Sequence, residues 1–134
     1  MFGKLNHIGI FVEEPEVAID FYTNVLGGEL LFTIYNESDG ENISMIKMGD
    51  YHIELIQPPE GAEEAPEAAR RTRNHFAIEV EDIQAAVNHV KSHGYVLEEE
   101  GIYYVPEFGD NKTNLNVAFF HGPSGERIEF FQYV

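Results

Sequence analysis

The feature that most constrains this chain is an internal repeat. The segment LNHIGIFVEEPEVAIDFYTNVLGGELL, which begins at Leu5, has the same layout as RNHFAIEVEDIQAAVNHVKSHGYVLEEE, which begins at Arg73. Each copy opens with Asn-His, runs as a short strand, passes acidic residues and enters an amphipathic helix that stops at glycine. Self-similarity of this kind predicts one supersecondary unit used twice.

The helix signals agree in the two copies. In the first, Pro15 suits the first helical turn and Gly27-Gly28 supply the stop. In the second, Asp82 is the predicted N-cap and Gly94 the predicted end. Apolar residues at helical spacing predict the buried stripes, which are Val17, Phe21 and Val25 in the first helix and Ile83, Ala86, Val87 and Val90 in the second.

Strand-like runs follow each helix and complete a βαβββ pattern in both copies. In the first copy they are Glu29–Tyr35, Ile43–Met48 and Tyr51–Gln57. In the second they are Tyr95–Glu99, Leu115–Phe120 and Arg127–Tyr133, with Gly101–Asn114 expected as a loop. The pattern predicts an α+β fold of two tandem modules, at about 4–58 and 73–134, joined by a linker at 59–72 within a single domain spanning 1–134.

Composition narrows the classes of function. The chain has 134 residues, 43% of them hydrophobic, and no apolar run near the roughly 20 residues that span a bilayer. The opening MFGKLNHIGIFVEEPE has no signal-peptide character and there is no cysteine, so we expect a cytoplasmic protein. A formal net charge of −16 would repel nucleic acid and anionic membranes. The expected partner is therefore a small-molecule substrate.

Strand alternation singles out one His and one Glu in each module. If Ile8, Ile10 and Val12 pack under the first helix, His7 points to the opposite face. The same alternation sets His75 opposite Phe76, Ile78 and Val80. On the last strand of each module, alternation likewise separates Glu54 and Glu129 from their apolar neighbours.

Two repeat-equivalent His–Glu pairs supply four candidate ligands for one divalent cation, which are His7, Glu54, His75 and Glu129. Imidazole nitrogen and carboxylate oxygen suit Ni²⁺ or Zn²⁺ first, and also Co²⁺, Mn²⁺ or Fe²⁺. The set leaves coordination positions for water or substrate. A lone His on a sheet is more often structural, so the prediction depends on all four residues occurring together.

The segments NHIGIFV, FYTNVLGGELL, YHIELIQ, NHFAIEV and GPSGERIEFF resemble the glyoxalase, bleomycin-resistance and dioxygenase (vicinal oxygen chelate) superfamily, and most closely its glyoxalase I-like (lactoylglutathione lyase-like) members. The resemblance covers nearly the whole chain. It implies that paired βαβββ modules form a curved, mostly antiparallel eight-stranded sheet with helices outside. It also implies the same four ligands and a homodimer, in which sites are often built from modules of two chains.

The resemblance implies a lyase or isomerase that acts on a small 2-oxoaldehyde or its thiol adduct by metal-stabilised enediolate proton transfer. Glu129 is the first choice of base and Glu54 the partner that returns the proton. One departure concerns the thiol. Glutathione-using members usually carry an arginine on the first strand four residues beyond the ligand, where this chain has Phe11.

Other members of the superfamily give the alternatives. Methylmalonyl-CoA epimerases usually carry glutamine where Glu54 stands. Extradiol dioxygenases and fosfomycin-resistance enzymes use two His and one Glu, which His7, His75 and Glu129 would supply. Bleomycin-resistance-type proteins are non-catalytic drug-binding modules that typically lack the ligands.

Further side chains are candidates for the substrate pocket, and they are Phe11, His52, Arg73, Tyr103 and Phe131. Arg73 belongs to the concentrated positive charge of the chain, with Arg70 and Arg71, which suits an acidic substrate group or an ordinary exposed surface. His89 and His93 stand four apart on the second predicted helix, near the C-terminal end where basic side chains are favourable in any case.

Overall fold

The computed structural model describes residues 5–38, 40–62, 75–108 and 112–134. The chain divides into two compact units, Met1–Glu64 and Ala65–Val134, which are called unit 1 and unit 2 below. Within these described ranges, each unit holds one four-stranded mixed sheet and one helical segment. The predicted α+β class and the βαβββ order of both modules are confirmed. Among the described residues, no helix is long and apolar enough to cross a membrane.

The sheet of unit 1 has its strands in the order β1-β4-β3-β2. Strand β1 pairs in parallel with β4, and the other neighbours are antiparallel. A parallel pair needs a crossover, which the helical segment between β1 and β2 provides. The elements are β1 (Ile8–Phe11), α1 (Pro15–Asp20) with a π-helical turn (Phe21–Val25), β2 (Glu29–Asn36), β3 (Glu41–Met48) and β4 (Tyr51–Gln57).

The buried face of the first helical segment lacks one predicted residue and contains two that were not predicted. Val17 is 46% exposed, so it does not belong to the buried stripe. The core side chains recur instead at the spacing i, i+3, i+4 and i+7, and they are Ala18, Phe21, Tyr22 and Val25. They pack on β3 and β4, where Ile46 and Leu55 are buried. The prediction used a spacing of four residues, which leads from Phe21 back to Val17. The helix instead buries the residue three positions before Phe21, which is Ala18.

Unit 2 repeats the topology with the order β5-β8-β7-β6, and β5 pairs in parallel with β8. The predicted N-cap is confirmed, because the Ala85 N–H donates to Asp82 Oδ1 at 2.9 Å. Ile83, Val87 and Val90 are buried, as the apolar stripe predicts, whereas the fourth predicted member, Ala86, is only partly buried. The elements are β5 (Phe76–Glu79), α2 (Ile83–Ser92), β6 (Tyr103–Phe108), β7 (Thr113–His121) and β8 (Arg127–Tyr133).

One strand prediction in unit 2 is wrong. The segment Tyr95–Glu99 forms only an isolated bridge between Leu97 and Phe120, and the strand lies at β6, inside the stretch expected to be a loop. Tyr and Val favour strands, whereas the acidic run 98–100 does not. Pro106 is tolerated in β6 because β6 is an edge strand, and a register shift follows Val105.

Strand β2 is the other notable edge. It lies at the end of the unit 1 sheet, and beyond Glu29 at its start it presents exposed apolar side chains without the charges that usually protect such edges. These side chains are Leu30, Leu31, Phe32, Ile34 and Tyr35.

Candidate metal centre

Unit 1 brings together the two side chains that strand alternation selected. His7 directly precedes β1, and Glu54 lies on the adjacent parallel strand β4, paired with Gly9. The His7 Nε2 and Glu54 Oε2 atoms are 3.6 Å apart, and the side chains are 37% and 20% exposed. Both groups therefore remain accessible from solvent within the unit.

The ring of His7 is oriented by its neighbour. Its Nδ1–H donates to Asn6 Oδ1 at 2.8 Å, which leaves the lone pair of the neutral ring on Nε2, the atom that faces Glu54. Metal-binding histidines are commonly fixed in this way, with one nitrogen donating to an oxygen and the other available to the metal.

Unit 2 contains the equivalent pair at closer range. His75 precedes β5, and Glu129 lies on β8 paired with Ala77. His75 Nε2 and Glu129 Oε2 are 3.0 Å apart. The rings of His75 and Phe119 make an edge-to-face contact, with their centroids 5.2 Å apart and their planes at 88°. This contact holds the His75 ring beside its glutamate.

The two pairs share one register. In each unit the glutamate is paired with the residue two positions after the histidine, namely Gly9 in unit 1 and Ala77 in unit 2. Side chains two apart on a strand lie on the same face. Each histidine and its glutamate are therefore placed on one face by the same local rule.

The donor sets fit a divalent cation. An ion held about 2.0–2.2 Å from a nitrogen and an oxygen would keep those atoms roughly 3.0–3.4 Å apart, depending on the angle between them. The observed separations are 3.0 and 3.6 Å. No group of three or more His, Asp or Glu side chains suited to a metal is found in the parts of the chain that the structure describes. Each unit by itself therefore offers two candidate donors, one imidazole and one carboxylate.

A third cluster lies beside the unit 2 pair and was not foreseen from the sequence. Glu98 accepts hydrogen bonds from Arg127 Nε at 2.6 Å and Arg127 Nη2 at 2.7 Å. His121 Nε2 lies 3.0 Å from Glu98 Oε1, and His121 Nδ1 lies 3.1 Å from the Gly125 carbonyl oxygen. Both ring nitrogens of His121 therefore face acceptor oxygens.

The charges in this cluster support one another. The Arg127 guanidinium, by its hydrogen bonds and its charge, holds the pKa of Glu98 below its ordinary value, against the opposing effect of burial. Glu98 in turn raises the pKa of Arg127. The guanidinium also lies 3.8 Å from the centroid of the Phe119 ring, the ring that contacts His75.

The remaining predicted pocket residues have different placements. Phe11 is 48% exposed on β1, and alternation sets it on the same face as His7. His52 is half-buried on β4 and shares the face of Glu54. Phe131 packs against one buried cluster of unit 2, formed by Leu115, Val117 and Phe119. Tyr103 is partly exposed on β6, whereas Arg73, with Arg70 and Arg71, lies outside the described residues.

The two helical histidines form a separate surface pair. Their ring centroids are 4.6 Å apart, and His93 Nδ1 donates to the His89 carbonyl oxygen at 2.9 Å. This contact satisfies a carbonyl near the end of α2, as basic side chains at helix C-termini commonly do.

Comparison with known proteins places these features in context. The family model for the Glyoxalase/Bleomycin resistance protein/Dioxygenase superfamily matches residues 4–130. YaeR of Escherichia coli is 29% identical over 96% of this chain and 95% of its own length. An ethylmalonyl-CoA/methylmalonyl-CoA epimerase of Cereibacter sphaeroides is 34% identical over 70% of this chain and 73% of its own.

The human mitochondrial methylmalonyl-CoA epimerase is 32% identical over 66% of this chain, and the match spans about half, 53%, of that enzyme. Two solved structures share the fold. Glyoxalase I of Leishmania major is 24% identical with a TM-score of 0.70, over 98% of this chain and 87% of the other. The fosfomycin resistance protein FosX of Listeria monocytogenes, in complex with Mn(II) and sulfate, is 13% identical with a TM-score of 0.70, over 98% and 93%.

Proposed function

Because the chain belongs to the glyoxalase/bleomycin resistance protein/dioxygenase superfamily, we propose that it is a metal-dependent enzyme that moves a proton at a carbon next to a carbonyl group. The proposed ligands are His7, Glu54, His75 and Glu129. A four-ligand site needs one unit 1 pair (His7 and Glu54) and one unit 2 pair (His75 and Glu129). The two pairs come either from one chain or from the two chains of a homodimer. Ni²⁺ or Zn²⁺ is the proposed ion, and Co²⁺, Mn²⁺ and Fe²⁺ suit the same donors.

The observation that carries this proposal is the repetition of one His–Glu arrangement at the same register in both units. Duplication by itself preserves structural contacts, so the proposal is supported by the chemistry that recurs: both copies keep an imidazole and a carboxylate at the same strand positions. A metal site built from both modules requires this, because each module must contribute donors from those positions.

The roles of the side chains follow from their chemistry. The bound dication supplies a Lewis acid that makes a C–H next to a carbonyl more acidic. Glu129 is proposed as the base that takes this proton, and Glu54 as the group that returns it. Two carboxylates on equivalent strands can act in either direction, which suits isomerisation and epimerisation alike.

The first proposed substrate is a small 2-oxoaldehyde or its thiol adduct, as for glyoxalase I. Glu54 favours this choice, since the methylmalonyl-CoA epimerases resembling this chain usually carry glutamine at that position. Methylmalonyl-CoA-type epimerisation is the second candidate, and it is favoured by the 34% identity to the Cereibacter sphaeroides enzyme.

Elemental analysis of protein purified without chelator or affinity tag tests the metal. We expect about one equivalent of Ni, Zn or Co per site in the wild type, and its loss in His7→Ala and Glu54→Ala. His89→Ala serves as the matched control, because it removes a histidine from the helical pair that lies apart from the proposed ligands. A folded wild type without metal, even after reconstitution, would point to a non-catalytic binding module.

Turnover assays test the reaction. Thioester formation from methylglyoxal–thiol adducts reports the isomerase, and exchange of the C2 hydrogen of methylmalonyl-CoA for deuterium reports the epimerase. Glu129→Gln is expected to lower kcat by about 10²–10⁴-fold at full metal occupancy, the usual contribution of a general base. Unchanged turnover in a fully loaded variant would remove Glu129 from the role of base.

Mixing two inactive variants decides how the pairs combine. In a dimer of one His7→Ala chain and one His75→Ala chain, a site shared between chains is restored once per dimer. A site formed within one chain stays defective in both. Recovery of metal and activity on co-expression therefore distinguishes the two assemblies.

A further inference from the structure

Residues paired on adjacent strands place their side chains next to one another, so each sheet face that carries proposed ligands contains rows of side chains that run across the strands. In unit 1, Lys47 of β3 is paired with His52 of β4, and both lie on the face that carries Glu54. Continuing the β1–β4 register by one residue places His7 beside His52. The residues His7, His52 and Lys47 are called the unit 1 row.

Unit 2 contains the equivalent row. His121 of β7 is paired with Arg127 of β8, on the face that carries Glu129, and the β5–β8 register places His75 beside Arg127. His75, Arg127 and His121 form the unit 2 row. In both units, a proposed metal ligand is therefore followed across the sheet by two side chains that donate hydrogen bonds and can carry positive charge.

The unit 2 row already holds a carboxylate. Arg127 donates twice to Glu98, and His121 Nε2 lies 3.0 Å from the same carboxylate. Glu98 comes from the segment after α2, and in this row it contacts Arg127 and His121. Arg127 and His121 thus show how two adjacent side chains of such a row bind one carboxylate.

In the part of unit 1 that the structure describes, the corresponding members of the row, Lys47 and His52, have no such internal partner. Within the described residues, neither Lys47 nor His52 forms an ion pair or a side-chain hydrogen bond. The segment that corresponds to the one carrying Glu98 follows the first helix and contains Leu30 and Leu31. Glu29 is paired with Lys47 across β2 and β3, yet the two do not form an ion pair.

Lys47 also differs from the other described cations. Arg127 pairs with Glu98, Lys112 pairs with Glu107 at 3.9 Å, and Lys91 lies in the last turn of α2. In a chain of net charge −16, a lysine without an ion pair beside proposed metal ligands is the described position best suited to attract an anion.

We propose that Lys47 and His52 bind a carboxylate group of the substrate. This inference rests on the proposed function, because it assigns a substrate class to that site. Lys47 lies on the strand next to that of Glu54, and its paired residue His52 is two positions before Glu54. This offset corresponds to about 8 Å between the Cα atoms of Lys47 and Glu54. The substrate is accordingly a carbonyl compound whose carboxylate lies within side-chain reach of the carbon that reacts, and in an oxoaldehyde–thiol adduct that carboxylate belongs to the thiol.

A carboxylate probe tests the anion site without turnover. ¹H–¹⁵N NMR spectra of the full chain as purified are recorded during titration with glutarate, with dimethyl glutarate as the neutral control. We expect saturable shifts centred on the Lys47 and His52 amides, and none with the ester. Repeating the titration after metal removal keeps the result independent of the metal proposal, which elemental analysis tests separately.

Variants on and off the row make the test specific. Lys47→Met should weaken glutarate binding by about tenfold, the usual effect of losing a hydrogen bond to a charged group, whereas Lys91→Met on α2 should leave it unchanged. Glu29→Gln should strengthen binding, because it removes a negative charge that repels an anion beside Lys47. The proposal is overturned by equal binding to Lys47→Met, by equal shifts with the ester, or by tighter binding of inorganic phosphate than of glutarate.

The duplication provides a reciprocal test. Glu98→Ala removes the carboxylate from Arg127 and His121, and it should create a second glutarate site with shifts at those residues. The wild type should show none there. A Glu98→Ala protein that is folded by its NMR spectrum and gains no site would contradict the equivalence of the two rows.

Discussion

The ion pair between Glu98 and Arg127 should make a measurable, pH-dependent contribution to the stability of unit 2. Its two hydrogen bonds are short, at 2.6 and 2.7 Å, and the side chains are 24% and 30% exposed. Hydrogen bonds to charged groups contribute about 1.5–3 kcal/mol when shielded, whereas exposed ion pairs contribute about 0.2–1 kcal/mol. Partial exposure places the expected coupling at about 1–2 kcal/mol at pH 7.

The direction of the pH dependence follows from the lowered pKa of Glu98. A carboxyl group whose pKa is lower in the folded than in the unfolded chain stabilises the fold fully above the unfolded value, near 4.5. That stability is lost as the pH falls through the lower folded pKa. The coupling should therefore be present at pH 7 and diminished near pH 3.

A double-mutant cycle measures the coupling. Urea unfolding of the wild type, Glu98→Gln, Arg127→Met and the double variant gives the pair energy, and the cycle cancels the loss of the Arg127–Phe119 contact. A coupling below about 0.3 kcal/mol at pH 7, within the usual error of additivity, would refute the assigned contribution. An equal coupling at both pH values would refute its electrostatic origin.

Two further substitutions test the local structure. Asp82→Ala should destabilise the protein by about 1 kcal/mol in urea unfolding, because the Ala85 N–H loses its acceptor, whereas Asp82→Asn should retain most of the cap; equal losses would refute the capping role. Gly28→Ala should cost about 1–3 kcal/mol, because its Cβ would lie 2.6 Å from Met48 Sδ and 2.7 Å from the Tyr22 carbonyl oxygen; an unchanged urea midpoint would contradict this packing.

Periodicity predicted the parts of the fold in which local pattern and tertiary packing agree. The bounds of β4 and β8 match the prediction, and alternation correctly set His7 and Glu54 on one face. Tyr95–Glu99 was predicted as a strand because it follows the helix as β2 does. The acidic run and Glu98's role with Arg127 instead leave that segment outside the sheet.

Alternation along a single strand predicted the sheet face on which each candidate side chain lies. It could not predict which side chains of neighbouring strands lie beside one another. Lys47 and Arg127 lie on the ligand-bearing faces, but their relation to His52 and His121 depends on register between strands. Register is fixed by turns and by the packing of whole strands, which one sequence specifies only through the sum of many weak preferences. The unit 1 row and the unit 2 row could therefore be identified only once the strand pairing was known.

The exposed edge of β2 has a consequence for the colloidal behaviour of the protein. At neutral pH, 24 acidic against 8 basic residues keep copies apart by charge repulsion. Near the isoelectric point, at about 4.5, that repulsion vanishes while the apolar side chains and open backbone groups of β2 remain exposed. Edge-to-edge association then has no electrostatic barrier, so mild acid should precipitate the folded protein at a pH where it is not yet unfolded.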